Sequence, residues 1–274
     1  MKKILEILAA VFLAGTTSCR AADIESKPPV IETITNTPDV AELGPKLLPD
    51  GRIIYFEHKK TEKGYEQINN VCILDKDGKR TCLTGGLEDN LIFSGIASDG
   101  ENTVIYGRNI KGNPEGVTFV YRQDDGLLVR KFKNTEFIQD CLLNGKAYIL
   151  SNAGISVYDI ESGVAKKVTA GEMAEFREIQ LRKNPKVSRE GDNLIVDAGT
   201  GKLIISNASN LVWSKDKKYF ACNLFKEDGY SIGVFNYKRG EEILRIPGED
   251  PCWTPDNTIL YSVKGDLKKL RLTP

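Results

Sequence analysis

Histidine is almost missing from this chain. Of 274 residues only His58 is a histidine, and there are only two tryptophans and two methionines. Ser-His-Asp and Cys-His nucleophile systems would therefore rest on His58 alone. It stands in Phe56-Glu57-His58-Lys59-Lys60, beside charged residues at the end of a β-prone run, and is read as an exposed bystander. No Gly-Lys-Ser/Thr phosphate loop occurs, and because the glycines read as turn residues no nucleophile elbow is expected either. No Cys-x-x-Cys or Cys/His cluster is present, which argues against zinc and dithiol redox chemistry. Neither charge sign is in excess, with 38 Lys+Arg against 38 Asp+Glu mixed along the chain. A nucleic-acid partner is disfavoured, since phosphate-driven affinity needs clustered positive charge. These absences leave a non-catalytic protein with no cofactor as the expectation.

Long apolar runs are missing too. The longest, Ile7 to Ala14 behind Lys2 and Lys3, is short of the roughly 20 residues that span a bilayer and suits the apolar region of a signal peptide over residues 1–18. The following Gly15-Thr16-Thr17-Ser18-Cys19 resembles the lipobox of bacterial lipoproteins, in which cleavage exposes a cysteine for lipid attachment. Thr16 departs from the aliphatic residue usual there. Lipidation of Cys19 is the leading expectation, beside ordinary cleavage nearby and an uncleaved anchor. It implies export and a membrane-anchored place in the cell envelope, on the periplasmic or cell-surface side.

Six cysteines are present. With Cys19 lipidated, Cys72, Cys82, Cys141, Cys222 and Cys252 form an odd set in a compartment that permits disulfides. Val71–Asp75 and Lys79–Leu83, around Lys76-Asp77-Gly78, read as a hairpin with Gly78 in the left-handed position. Pairing Asp75 with Lys79 sets Cys72 opposite Cys82, where either a cross-strand disulfide or two half-buried thiols fit.

From Cys19 to Gly44 the chain has a linker's composition, with Pro28-Pro29, Pro38 and scattered Thr, Glu and Asp. Within it Val30-Ile31-Glu32-Thr33-Ile34-Thr35 alternates β-prone residues. Residues 45–274 carry a repeat. Pro45-Lys46-Leu47-Leu48-Pro49-Asp50-Gly51 leading to Ile53–Phe56 is echoed by Pro251-Cys252-Trp253-Thr254-Pro255-Asp256-Asn257 leading to Thr258–Ser262. Further copies begin at Ile96, Cys141, Pro185 and Leu211. Each places Asp, Asn or Gly in a tight turn between two β-rich runs, the inner pair of a four-stranded blade, and a second turn downstream serves the outer pair. The copy at Pro185 is short, which leaves the count at six or five blades.

The combination Trp253-Thr254-Pro255-Asp256, Trp213-Ser214-Lys215-Asp216, Leu48-Pro49-Asp50-Gly51 and Ile73-Leu74-Asp75-Lys76-Asp77-Gly78 resembles the WD40-like repeats of TolB-type periplasmic propellers. The resemblance implies an all-β propeller of about six, or five, four-stranded blades. It is silent about activity, because this repeat serves partner-binding envelope proteins and also accessory domains of peptidases.

The last repeat ends at Leu267–Leu272, a third strand with no chain left for a fourth. An unpaired edge invites aggregation, so residues 30–35 are expected to return as the outer strand of the final blade. Asp75-x-Asp77-Gly78 lacks the further oxygen ligands and terminal Glu of a calcium loop and reads as turn chemistry. Trp213 and Trp253 hold equivalent repeat positions and are expected to pack between blades. Glu172–Arg182 has helical propensity without a clear cap. The expected role is an envelope lipoprotein whose ring serves as a protein–protein interaction scaffold; the alternatives are a carbohydrate- or peptide-binding channel and a polysaccharide-degrading enzyme.

Overall fold

A computed structural model of the chain describes residues 29–62, 64–85, 87, 91–109, 115–123, 126–136, 141–183, 187–198, 201–226 and 229–272. The proposed signal peptide and Cys19 lie outside the described residues.

The fold is a β-propeller of six antiparallel sheets. β1 (Val30–Thr33) stands apart in sequence from the sheet it joins. The first blade is β2 (Val40–Leu47), β3 (Ile53–Thr61), β4 (Gly64–Leu74) and β5 (Arg80–Cys82). The second is β6 (Leu91–Ser98), β7 (Asn102–Asn109), β8 (Gly116–Arg122) and β9 (Leu128–Lys133). In the third, β10 (Thr135–Glu136) and β11 (Leu142–Leu143) share one edge of β12 (Lys146–Ser151), followed by β13 (Gly154–Asp159) and β14 (Val164–Lys167). After the helix α1 (Ala170–Lys183) comes a fourth blade of three strands, β15 (Val187–Glu190), β16 (Asn193–Ala198) and β17 (Gly201–Ile205). The fifth is β18 (Ala208–Trp213), β19 (Tyr219–Lys226), β20 (Gly229–Asn236) and β21 (Glu241–Pro247). The sixth is β22 (Glu249–Trp253), β23 (Thr258–Val263) and β24 (Asp266–Arg271), with β1 as its fourth strand.

The count of six settles the ambiguity of the short repeat: too little chain separates the copies for a fourth strand, so that blade has three. The turns follow the residues that specify them. Asp75 accepts hydrogen bonds from the backbone N–H groups of Asp77 and Lys79 at 3.1 and 2.6 Å, while Gly78 takes φ +79°. The pairing sets Cys72 opposite Cys82, and the structure carries a disulfide between them.

Blades hold together through apolar side chains between neighbours. One buried cluster joins blades one and two around Ile54, Val71, Ile105 and Phe119. Others join two and three (Val104, Val120, Tyr148), four and five (Val196, Phe220, Cys222), and five and six (Ala221, Val234, Tyr261). Tyr55, Cys72 and Leu267 connect the last blade to the first. Full burial of each large apolar side chain stabilises the ring by about 1.5–3 kcal/mol relative to exposure.

The ring closes as the unpaired final strand requires. β1 runs antiparallel to β24 from Val30 opposite Arg271 to Thr33 opposite Lys268. The Ile34 N–H donates to the Leu267 carbonyl at 2.9 Å, and the Thr35 hydroxyl accepts from the Leu267 N–H at 2.9 Å. Thr35 and Thr37 hydroxyls then donate to the buried carboxylate of Glu42, at 2.6 and 2.9 Å.

Three expectations need correction. The tether does not reach Gly44: β2 begins at Val40, because Ala41 and Glu42 are buried in the closing seam. His58 is half-buried, not exposed, since β3 pairs it with Ala41 there. The helix has a cap, which the sequence reading missed. Thr169-Ala170-Gly171-Glu172 forms a capping box: the Thr169 hydroxyl accepts from the Glu172 N–H at 3.2 Å, and the Glu172 carboxylate accepts from the Thr169 N–H at 3.0 Å.

Candidate central cavity

The innermost strands of the propeller carry the same irregularity. β2, β6, β18 and β22 each break register with the next strand, between Leu43 and Lys46, Phe93 and Gly95, Ser209 and Val212, and Glu249 and Cys252. A bulge bends the strand and re-aims its side chains. Gly44, Asn210 and Asp250 stand at equivalent places in three of these bulges, at φ +60°, +50° and +55°. Glycine, Asn and Asp tolerate this left-handed conformation best. Asp250 is held there by Asn223, whose side-chain carbonyl accepts from the Asp250 N–H at 2.8 Å and whose amide donates to the Asp250 carboxylate at 3.2 Å. The Asn210 amide donates to the same carboxylate oxygen at 3.2 Å.

These four strands surround a cavity of about 570 Å³, formed by blades one, two, five and six. That volume suits a small ligand. Its walls are polar and apolar in about equal measure, with Leu47, Phe56, Ile96 and Val212 beside Trp213 and Trp253 on the apolar side. Lys46, Asp250 and Lys217 supply the charge. Lys46 is half-buried, and its ammonium donates to the Ile96 carbonyl of the next blade at 2.6 Å. Lys217 is exposed at its turn, with its ammonium 5.7 Å from the Trp213 ring centroid. Burial lowers the Lys217 pKa.

The tryptophans serve the core and the cavity together. Trp213 packs edge-on against Tyr237 at 5.1 Å and against Phe220 at 5.3 Å, while Trp253 lies nearly parallel to Tyr219 of the neighbouring blade at 6.3 Å. Both indole N–H groups are buried and without a hydrogen-bond partner. Each such donor costs about 1–3 kcal/mol. Trp253 thus packs between blades, Trp213 packs within its own blade and against the cluster shared by blades four and five, and both line the cavity.

Apart from Lys217 and Cys252, the groups with shifted acidities stand outside the lining. Burial lowers the pKa of His58, and it lines no part of the cavity. Glu57 is pushed up by burial, opposed by the Arg80 guanidinium 2.7 Å away. Burial and the neighbouring Asp250 raise the Glu249 pKa, yet Glu249 stays outside the lining. The thiol of Cys252, in the wall, is pushed up by burial. Glu57, Cys72 and Cys82 bring three ligand-type atoms within 4.8 Å of one another. With both sulfurs in the disulfide, only the Glu57 carboxylate retains ligand character, so the trio as it stands is not a metal centre.

Gly229-Tyr230-Ser231-Ile232-Gly233 does satisfy the Gly-x-Ser-x-Gly pattern, a match that the reading of glycines as turn residues overlooks. Its context is wrong for a nucleophile elbow. Ser231 lies within β20, paired with Leu224 and Pro247 on either side, and its hydroxyl is buried without a partner.

The sequence reading named neither Lys46 nor Asp250 as site residues. A signal for them exists in the repeat alignment, where Lys46 takes the place of Val212 and Cys252, and Asp250 that of Gly44 and Asn210.

No family model matches the chain, and no curated protein matches it. Among solved structures it is similar to TolB from Acinetobacter baumannii, at 16% identity and a TM-score of 0.40 over 80% of this chain; it spans 63% of the TolB chain. It is similar to regucalcin, a calcium-binding protein from Agrobacterium tumefaciens, at 13% identity and a TM-score of 0.44, covering 89% of this chain and 94% of that one. A gluconolactonase from Xanthomonas campestris is similar at 14% identity and a TM-score of 0.34, covering 91% of this chain and 81% of that one.

Proposed function

We propose that this propeller is a non-catalytic recognition module of the TolB-type repeat kind, exported and anchored to a membrane through Cys19, which takes a small ligand in its central cavity. The cavity itself carries the reading: two tryptophans, aliphatic side chains and a few charged groups converge where four inner strands meet. Its described lining includes no tyrosine, arginine or histidine, its lysines are engaged by the Ile96 carbonyl (Lys46) and the Trp213 ring (Lys217), and Asp250 accepts from two amides. Both tryptophans of the chain line this cavity, so their emission responds to a ligand bound there. Titrating the full chain with the small-molecule fraction of a bacterial envelope extract should change that emission saturably, and a flat response would count against the reading.

Anchorage agrees with where the first strand begins. From Cys19 to Pro29 the chain reaches at most about 35 Å, enough to hold the ring beside a membrane. Cys19→Ser should move the protein from the detergent phase to the aqueous phase in a partition assay; equal partition of both would remove the anchor.

A protein–protein scaffold is the second reading, favoured by a separate observation. The fourth blade ends at β17 without a further strand, with Ile204 61% exposed and Phe225 39% exposed close by. An envelope protein partner binding there would be cross-linked through this edge, and loss of that cross-link in Ile204→Asp would identify it.

A further inference from the structure

The charge within the cavity is unbalanced, and one residue is responsible. Asp250, the carboxylate of the described lining, keeps its charge while one of its oxygens accepts from the amides of Asn210 and Asn223, so two lysines stand against one carboxylate. Lys46 lies on the bulged part of β2, half-buried among Leu47, Phe56, Ile96 and Cys252. Its ammonium donates to the Ile96 carbonyl and makes no ion pair among the described residues. An ammonium has three protons to donate, and a half-buried cation without a counter-charge is costly. Lys217 adds a second positive charge, above Trp213 at the cavity wall. Trp213, Trp253, Leu47, Phe56 and Ile96 supply the apolar part of the lining.

Resting on the reading of the cavity as a ligand site, we infer that its ligand is an organic acid: an apolar ring or chain that packs on Trp213, Trp253 and Leu47, ending in a carboxylate or similar anion that pairs with Lys46. A neutral polyhydroxylated sugar would leave the Lys46 ammonium without a counter-charge. An organic cation would meet two lysines and a carboxylate whose oxygen already accepts two amide donors.

Three probes with the same ring and different head groups test this: 4-phenylbutyrate, 4-phenylbutanol and 4-phenylbutylamine, titrated into the full chain by calorimetry and followed by tryptophan emission. The acid should bind about ten-fold or more tightly than the alcohol, and the amine most weakly. Lys46→Gln keeps a donor for the Ile96 carbonyl without the charge. It should bring the acid to within about two-fold of the alcohol. Lys46→Arg should restore the preference, and both variants are compared by thermal unfolding so that a folding defect is seen directly. Alcohol binding equal to acid binding would overturn the inference while leaving the ligand site in place, as would a full acid preference surviving in Lys46→Gln. Preference for the amine would overturn it in favour of Asp250. If no probe binds and the emission also ignores envelope extract, the ligand site falls with it.

Discussion

Two sides of the ring are built differently. Where the last blade meets the first, the seam is dense with polar bonds. The Ser262 hydroxyl donates to the Glu42 carbonyl at 2.7 Å, the Glu42 N–H donates to the Gly265 carbonyl at 2.8 Å, and Lys60 pairs with Asp266 at 2.9 Å. β1 and the two threonines that follow its blade edge add to this from residues distant in sequence. On the opposite side, between blades three and four, no buried apolar cluster joins the two sheets among the described residues. There α1 docks on the third blade, with Phe176 stacked on Tyr148 at 4.3 Å, and the fourth blade stops at three strands. The cavity is walled by blades one, two, five and six, the side that contains the seam. Regular repeats and dense closure therefore coincide with the candidate site, while departures from the repeat gather where it is not.

The largest effect should come from opening the seam. Replacing residues 30–35 with a Gly-Ser stretch of equal length removes the β1 ladder and leaves Glu42 without its Thr35 partner. About 3–5 kcal/mol of stability should be lost, at roughly 1 kcal/mol for each net hydrogen bond plus the cost of a buried, under-satisfied carboxylate. Denaturant unfolding measures it, and a loss below about 1 kcal/mol would show that the seam does not fasten the ring.

Phe176→Ala strikes the opposite side. Phe176 is buried against the third blade, so about 3 kcal/mol should be lost. Amide exchange should quicken in β12 to β14 with no change in the tryptophan emission from the cavity. A shift in that emission would mean that the two sides are coupled, and the comparison would fail.

The smallest effect concerns the start of α1. Thr169→Ala should cost about 1 kcal/mol, seen as faster exchange in the first turn of the helix. The same cap predicts an acid response. The Thr169 N–H, the Lys166 ammonium and the Thr169 hydroxyl hold the Glu172 carboxyl down to about 2, below the ordinary 4.5. Its support to the helix is thus complete above pH 4.5 and is lost as pH falls through about 2. A carboxyl titration by NMR centred near 4.5 would remove this contribution.

Much of the architecture is legible in the residues because the turn chemistry is local. Asp75 to Gly78 fixes its hairpin, and with it the pairing of Cys72 and Cys82, through hydrogen bonds spanning four residues. The return of residues 30–35 is legible for a different reason: counting strands shows one missing from the last blade. The capping box at Thr169 was present in the sequence and overlooked, since Thr-x-x-Glu precedes a segment with weak apolar periodicity. The cavity is less legible. Lys46 resembles an ordinary charged residue in a strand until the bulge turns it inward, and Asp250 resembles another turn acid until Asn223 and Asn210 are seen to hold it.

The repeat, the turns, the near absence of histidine and the need for a closing strand are all written in the residues, because they follow from neighbours in the chain and from counting. That the short repeat is a three-stranded blade, that four bulged strands converge on one cavity, and that Lys46 makes no ion pair among the described residues emerge on folding alone. Those depend on which side chains meet across blades far apart in the chain, 220 residues in the Ser262–Glu42 bond, and no local pattern of residues encodes such a meeting.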